Sequence, residues 1–113
     1  MERLIRGDVW TVSGKDYTGK PRPAVVLQDN RFDATESVTV CPLTTDPTDA
    51  PLIRLPIDPT EQNGLQAQSR LMVDKITTVP KARMGRRIGA LAPEDMMRLN
   101  RAVVVFLGLA GGG

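Results

Sequence analysis

Between Gly19 and Gln28 the chain reads Gly19-Lys20-Pro21-Arg22-Pro23-Ala24-Val25-Val26-Leu27-Gln28: one permanent cation between two prolines, then an apolar run unbroken until Gln28. Ala24 to Leu27 is short, partly β-branched and preceded by glycine and proline, the pattern of a strand buried on both faces. Pro23 keeps Arg22 out of the helical region, so the backbone there is extended. Arg22 then projects from a stiff strand end fixed by the core beside it. A guanidinium held in this way suits phosphate, because its planar fork of donors matches two phosphate oxygens. An arginine in a loop, paired with a nearby carboxylate, accounts for these residues equally well.

The 113 residues suit one domain, expected over 1–110, with Gly111 to Gly113 as a frayed tail. Hydrophobic residues make up 41% and aromatics only 4%, so the core must be built from Val, Leu, Ile and Met. A net charge of +2 is compatible with a nucleic-acid partner without requiring one. Cys41 is the single cysteine, so no internal disulfide can form and a reducing compartment fits best. The first residues, Met1-Glu2-Arg3-Leu4-Ile5-Arg6, carry charge where a signal peptide is apolar. The longest apolar run, Val103 to Leu107, is too short to cross a bilayer. A cytoplasmic protein without membrane association is expected. There is no histidine, which removes imidazole acid–base chemistry and His-ligated zinc, and one cysteine cannot build a thiolate cage.

Along the chain, Val9 to Val12 reads as a first strand, led in by Arg6-Gly7-Asp8, and Ser13 to Lys20 as a polar loop that either closes over a site or is a mobile surface segment. After the second strand and a polar connection, Ser37 to Leu43 alternates as a third. Its Pro42 cannot donate to a ladder and predicts an edge or a bulge there. Ile53, Leu55 and Ile57 alternate with Arg54 and Pro56 as a half-buried fourth strand. Asn63-Gly64 marks a turn. Leu65 to Val79 is extended, with a bulge or bend expected near Asp74-Lys75 where the alternation breaks. A turn over 80–85 precedes a last short strand, Arg86 to Leu91. Pro93 opens a helix, with Glu94 and Asp95 in its first turn and Met96, Leu99, Val103, Phe106 and Ala110 as its apolar stripe. Several short strands followed by one helix give a mainly β fold, a small antiparallel β-barrel with an appended helix.

Polar residues recur at three predicted strand ends: Arg22, Thr44-Thr45 and Asp74. In a small barrel such ends can share a rim. Arg22 there would bind phosphate and stabilise developing charge, Thr44 would hydrogen-bond the same phosphate, and Asp74 would orient a hydroxyl or accept its proton. The set suits RNA cleavage, in which the ribose 2′-hydroxyl is the nucleophile and no cofactor or metal is needed. Each member also has an ordinary role: threonines cap turns, Asp74 pairs with Lys75 or an arginine, and Lys81, Arg83, Arg86 and Arg87 form a solvated face rather than a phosphate track.

In this order and spacing, Arg6-Gly7-Asp8-Val9-Trp10, Arg22-Pro23-Ala24-Val25-Val26-Leu27-Gln28, Val40-Cys41-Pro42-Leu43-Thr44-Thr45 and Asp74-Lys75-Ile76-Thr77-Thr78-Val79 resemble the MazF/PemK toxins nearly end to end. The resemblance implies an SH3-like barrel acting as a homodimer. It implies an mRNA interferase of a type II toxin–antitoxin system, cutting single-stranded RNA sequence-specifically without metal, to 2′,3′-cyclic phosphate and 5′-hydroxyl ends. A cognate antitoxin is the implied protein partner. The implied catalytic residues are Arg22, Thr44 and Asp74. Thr45 matches a substrate-contacting position, and Lys20, Lys75, Arg83 and Arg86 join it as expected RNA-binding residues. Two departures stand out: one branch of the family has arginine two residues before its acid, where this chain has Met72, and a first-loop histidine that this chain lacks. A gyrase-poisoning toxin of similar shape and a non-catalytic nucleic-acid- or protein-binding barrel are the alternative readings.

Overall fold

The computed structural model describes residues 3–14, 20–109 and 111. It contains β1 (Asp8–Val12), β2 (Arg22–Val26), β3 (Ser37–Thr44), β4 (Arg54–Ile57), β5 (Ser69–Met72), β6 (Thr77–Pro80), β7 (Met84–Ala90) and the helix α1 (Pro93–Phe106). All strand pairs are antiparallel, in the order β4-β5-β3-β2-β1-β7, with β6 also on β3. The mainly β class with an appended helix is as expected. Among the described residues no ladder joins β7 to β4, so the sheet does not close on itself.

The expected two-sided burial of the second strand is observed. Val25 packs into one core cluster with Val9, Cys41, Leu43, Leu71 and Leu99. Ala24 and Val26 pack into another with Trp10, Val38, Val40 and Met84. Successive apolar residues are therefore required, because successive side chains enter different cores. Leu27 is half-buried just beyond the strand end.

The strand carrying Pro42 is not a peripheral one. β3 lies inside the sheet, with β2 on one side and β5 and β6 following one another along the other. Leu27 N donates to Thr39 O, so the odd residues of β3 direct their backbone polar groups toward β2 and the even ones away from it. Pro42 is even. On that far side the β6 ladder covers Ser37 to Val40 and the β5 ladder covers Leu43 and Thr44, leaving Cys41 and Pro42 unpaired between them. The missing proline donor thus falls in a gap between two ladders rather than at a sheet edge. The gap also explains the broken alternation downstream: Val73–Lys75 forms a 3-10 turn there and divides the expected single extended stretch into β5 and β6.

Where the sheet fails to close, a turn covers the end strand. Ala90 N donates to Gln62 O at 2.8 Å. Gly64 has φ +71°, and a Cβ there would stand 1.9 Å from the Ile88 carbonyl oxygen. Buried Asn63 locks the turn: its Oδ1 accepts from Thr60 N and Leu65 N, and its Nδ2 donates to Asp58 O. The Asn-Gly pair marks this turn as expected.

In α1, Leu99 is the fully buried residue, and Met96, Ala102 and Val103 pack against the same core. Phe106 departs from the predicted stripe and is 46% exposed. The helix runs past the end of the core, leaving Val104, Val105, Phe106, Leu107 and Leu109 outward. Ala110 and most of the 13–20 loop lie outside the described residues. No helix is long and apolar enough to cross a membrane.

Candidate active site

The β2–β3 ladder pairs Val26 with Val40, Val25 with Cys41 and Ala24 with Pro42. Each strand runs two residues further, to Arg22 at the start of β2 and Thr44 at the end of β3, so the two residues stand at the same end of this strand pair although a long stretch of sequence separates them. Arg22 is exposed and Thr44 half-buried. Thr44 Oγ1 accepts from Asp46 N at 3.1 Å, which fixes the hydroxyl and leaves its proton to be donated elsewhere.

Asp74 stands in the 3-10 turn beyond β5, held by both arms of one guanidinium. Arg54 Nε lies 2.8 Å from one carboxylate oxygen and Nη2 lies 3.1 Å from the other. The side chains are only 14% and 24% exposed. The Arg54 hydrogen bonds hold the Asp74 carboxyl below its ordinary value, against the opposing effect of desolvation. Arg54 is the cross-strand partner of Met72. The guanidinium missing at position 72 thus arrives from the neighbouring strand, a relationship invisible in linear spacing.

Among the expected RNA-binding residues, Lys20, Thr45 and Arg86 line one groove of about 1020 Å³, joined by Arg87, Pro23 and Ser69. Lys75 is exposed on the 3-10 turn beside Asp74, and Arg83 lies just before β7; neither lines the groove. The expected basic residues therefore do not form one track: Lys20 and Arg86 line the groove, Lys75 stands beside Asp74, and Arg83 lies between β6 and β7. The β3–β5–β4 sheet face carries two further arginines, Arg54 and Arg70, that sequence alone does not single out. In alternating strands they occupy the polar positions and look like ordinary solvated residues.

Comparison with known proteins agrees with this organisation. Residues 5–107 match the family of PemK-like, MazF-like toxins of type II toxin–antitoxin systems. The chain is 56% identical to a probable endoribonuclease MazF of Mycolicibacterium smegmatis, over 96% of this chain and 100% of the relative. Among solved structures it resembles Mycobacterium tuberculosis toxin MazF-mt6, with TM-score 0.77 and 26% identity over 92% of this chain and 99% of that one. An endoribonuclease in complex with its cognate antitoxin, from a mycobacterial species, superposes with TM-score 0.77 at 25% identity, over 99% of this chain and 100% of that one. With a family match spanning nearly the whole chain and a relative sharing more than half its residues, this protein belongs to the PemK/MazF family of toxins of type II toxin–antitoxin systems.

Proposed function

We propose that this chain is an endoribonuclease that cuts single-stranded mRNA at specific sequences and so arrests translation. The observation that carries the reading is that Arg22 and Thr44 stand at the same end of the β2–β3 pair, in a chain whose near relative bears an endoribonuclease name. The ribose 2′-hydroxyl attacks the adjacent phosphorus. The bond to the 5′ oxygen breaks; the 2′-hydroxyl proton passes to solvent water and the departing 5′ oxygen takes one from it, leaving a 2′,3′-cyclic phosphate and a 5′-hydroxyl. Arg22 neutralises charge on the non-bridging oxygens as it grows. The Thr44 hydroxyl, held by Asp46 N, donates a hydrogen bond to the same phosphate. The nucleophile belongs to the substrate, so the reaction asks for no metal or cofactor.

Asp74 enters this scheme as an ionised group that orients Arg54, because a carboxyl held low by a fork of donors is poorly matched to proton abstraction near neutrality. Lys20, Thr45 and Arg86 hold the RNA along the groove, with Lys75 and Arg83 adding charge beside it. The protein acts in the cytoplasm as a homodimer and is silenced by a cognate antitoxin. The apolar residues left outward at the end of α1 supply surface for such contacts.

The test is incubation of purified protein with a long single-stranded RNA in EDTA, followed by mapping of the ends. Discrete cuts with cyclic phosphate ends are expected. Intact RNA, or cuts bearing 3′-hydroxyl ends, would refute the scheme.

A further inference from the structure

Arg70 is the direct cross-strand partner of Thr44 in the β3–β5 ladder. We propose that its guanidinium binds a second phosphate of the RNA strand, flanking the one held by Arg22 and Thr44; the proposal rests on the ribonuclease reading above.

Three strands set the arrangement. Thr44 on β3 and Arg70 on β5 face each other across one ladder, about 4.8 Å from strand to strand, and Arg22 begins β2, the strand on the other side of β3. Inward-facing Ser69 and Leu71 are buried, which places Arg70 on the open face, itself half-buried. Arg3, Arg31, Arg54, Arg87 and Arg98 each lie against an aspartate. No hydrogen bond or ion pair holds the side chain of Arg70, or those of Arg83, Arg86 and Arg101, among the described residues; of these four, Arg70 is the one opposed to Thr44.

The acids along that face are already engaged. Asp74 is taken by Arg54, and Asp46 accepts from the backbone N and hydroxyl of Thr48. Pro56, the neighbour of Arg70 on β4, offers no side-chain acceptor. A half-buried guanidinium stays charged, and leaving it without an acceptor is unfavourable. A phosphate beside the Thr44 hydroxyl would supply two acceptor oxygens in the geometry of the fork.

A contact to a flanking phosphate is made equally in the ground and transition states, so its loss should raise KM and leave kcat in place. Arg70→Ala and Arg70→Gln are to be compared with wild type in cleavage of an RNA carrying one mapped site. Binding to a mixed-sequence single-stranded DNA, which lacks the nucleophile, is measured across salt concentrations. The expected result is a rise in KM of about 10-fold, and a fall of about 0.7 in the slope of log affinity against log salt. The Gln variant keeps the stem as far as Cδ and a polar end without the charge, so agreement between the two separates charge from folding. KM and salt slope both unchanged in a folded variant would overturn the proposal, as would a loss confined to kcat. Wild-type protein that binds the DNA with an Arg70-dependent slope but cuts no RNA would uphold this contact while removing the ribonuclease reading.

Discussion

Arg54 grips Asp74 with both arms of its guanidinium, at 2.8 and 3.1 Å, from a strand that sequence spacing does not connect to the acid. The arrangement decides what the carboxylate can do. Its pKa in the folded protein lies below the ordinary 3.8, chiefly through the Arg54 hydrogen bonds. A group lowered on folding contributes stability that is fully present above its unfolded value and fades as pH falls through the lowered one. Asp74→Asn should therefore remove part of the stability held at neutral pH and flatten the decline seen in urea melts below about pH 4. Cleavage should show no limb from Asp74 above about pH 5. A rate profile with an apparent pKa between about 5 and 7 that vanishes in Asp74→Asn would instead make this acid the proton acceptor.

Arg22 stands at a strand end whose neighbours Ala24 to Val26 are fixed by two cores. Removing its guanidinium should spare the fold and affect the chemical step. Arg22→Ala is expected to lower the single-turnover cleavage rate by about 10²–10³, the usual cost of losing one donor to a developing oxyanion. Arg22→Lys should recover only part of it, since a point charge does not reproduce the fork. Cutting at the wild-type rate by a folded Arg22→Ala protein would exclude the proposed role.

The turn at Asn63-Gly64 does for this sheet what ring closure would do for a full barrel. Gly64 has a positive φ and presses its backbone on Ile88. Gly64→Ala should lower unfolding stability by more than about 1 kcal/mol, since the new methyl meets both a disfavoured backbone conformation and a carbonyl oxygen. The change should reach β7 and the groove residues Arg86 and Arg87, raising amide exchange there. Protection equal to wild type throughout β7 would mean that the turn is incidental to the sheet.

How far the sequence reveals this molecule depends on whether the signal is local. Pro23, the Ala24–Val26 run, the Asn63-Gly64 turn and Pro93 each constrain the residues beside them, and each marks the element found there. Thr44 and Arg22 are legible as strand ends, and the antiparallel β2–β3 pairing, a property of two distant segments, puts both at the same end of one strand pair. Pro42 reads as an edge signal because a missing donor is a local fact, whereas the gap between β6 and β5 that absorbs it is a tertiary one. Arg54 and Arg70 are silent for the same reason. An outward polar position on an alternating strand looks alike whether it meets solvent, a carboxylate or a substrate. Phe106 keeps the helical period, but the period cannot say where the core beneath the helix ends.

Cys41 offers a check on the centre of the sheet. The thiol lies on β3 opposite Val25, wholly shielded from solvent. Burial pushes it up to about 12, with the charge of Asp74 adding to the effect. At pH 8 roughly one thiol in ten thousand is then ionised, and that fraction is out of reach of a reagent. A disulfide reagent such as DTNB should label native protein only as fast as β3 opens, so the rate should rise steeply with sub-denaturing urea and reach completion on unfolding. Disrupting the 3-10 turn over the gap, for instance by Val73→Ala, should speed native labelling, because fully buried Val73 packs in the same core as Cys41. Labelling of native wild type within seconds, insensitive to urea, would show that β3 is accessible and that the two cores do not enclose it as described.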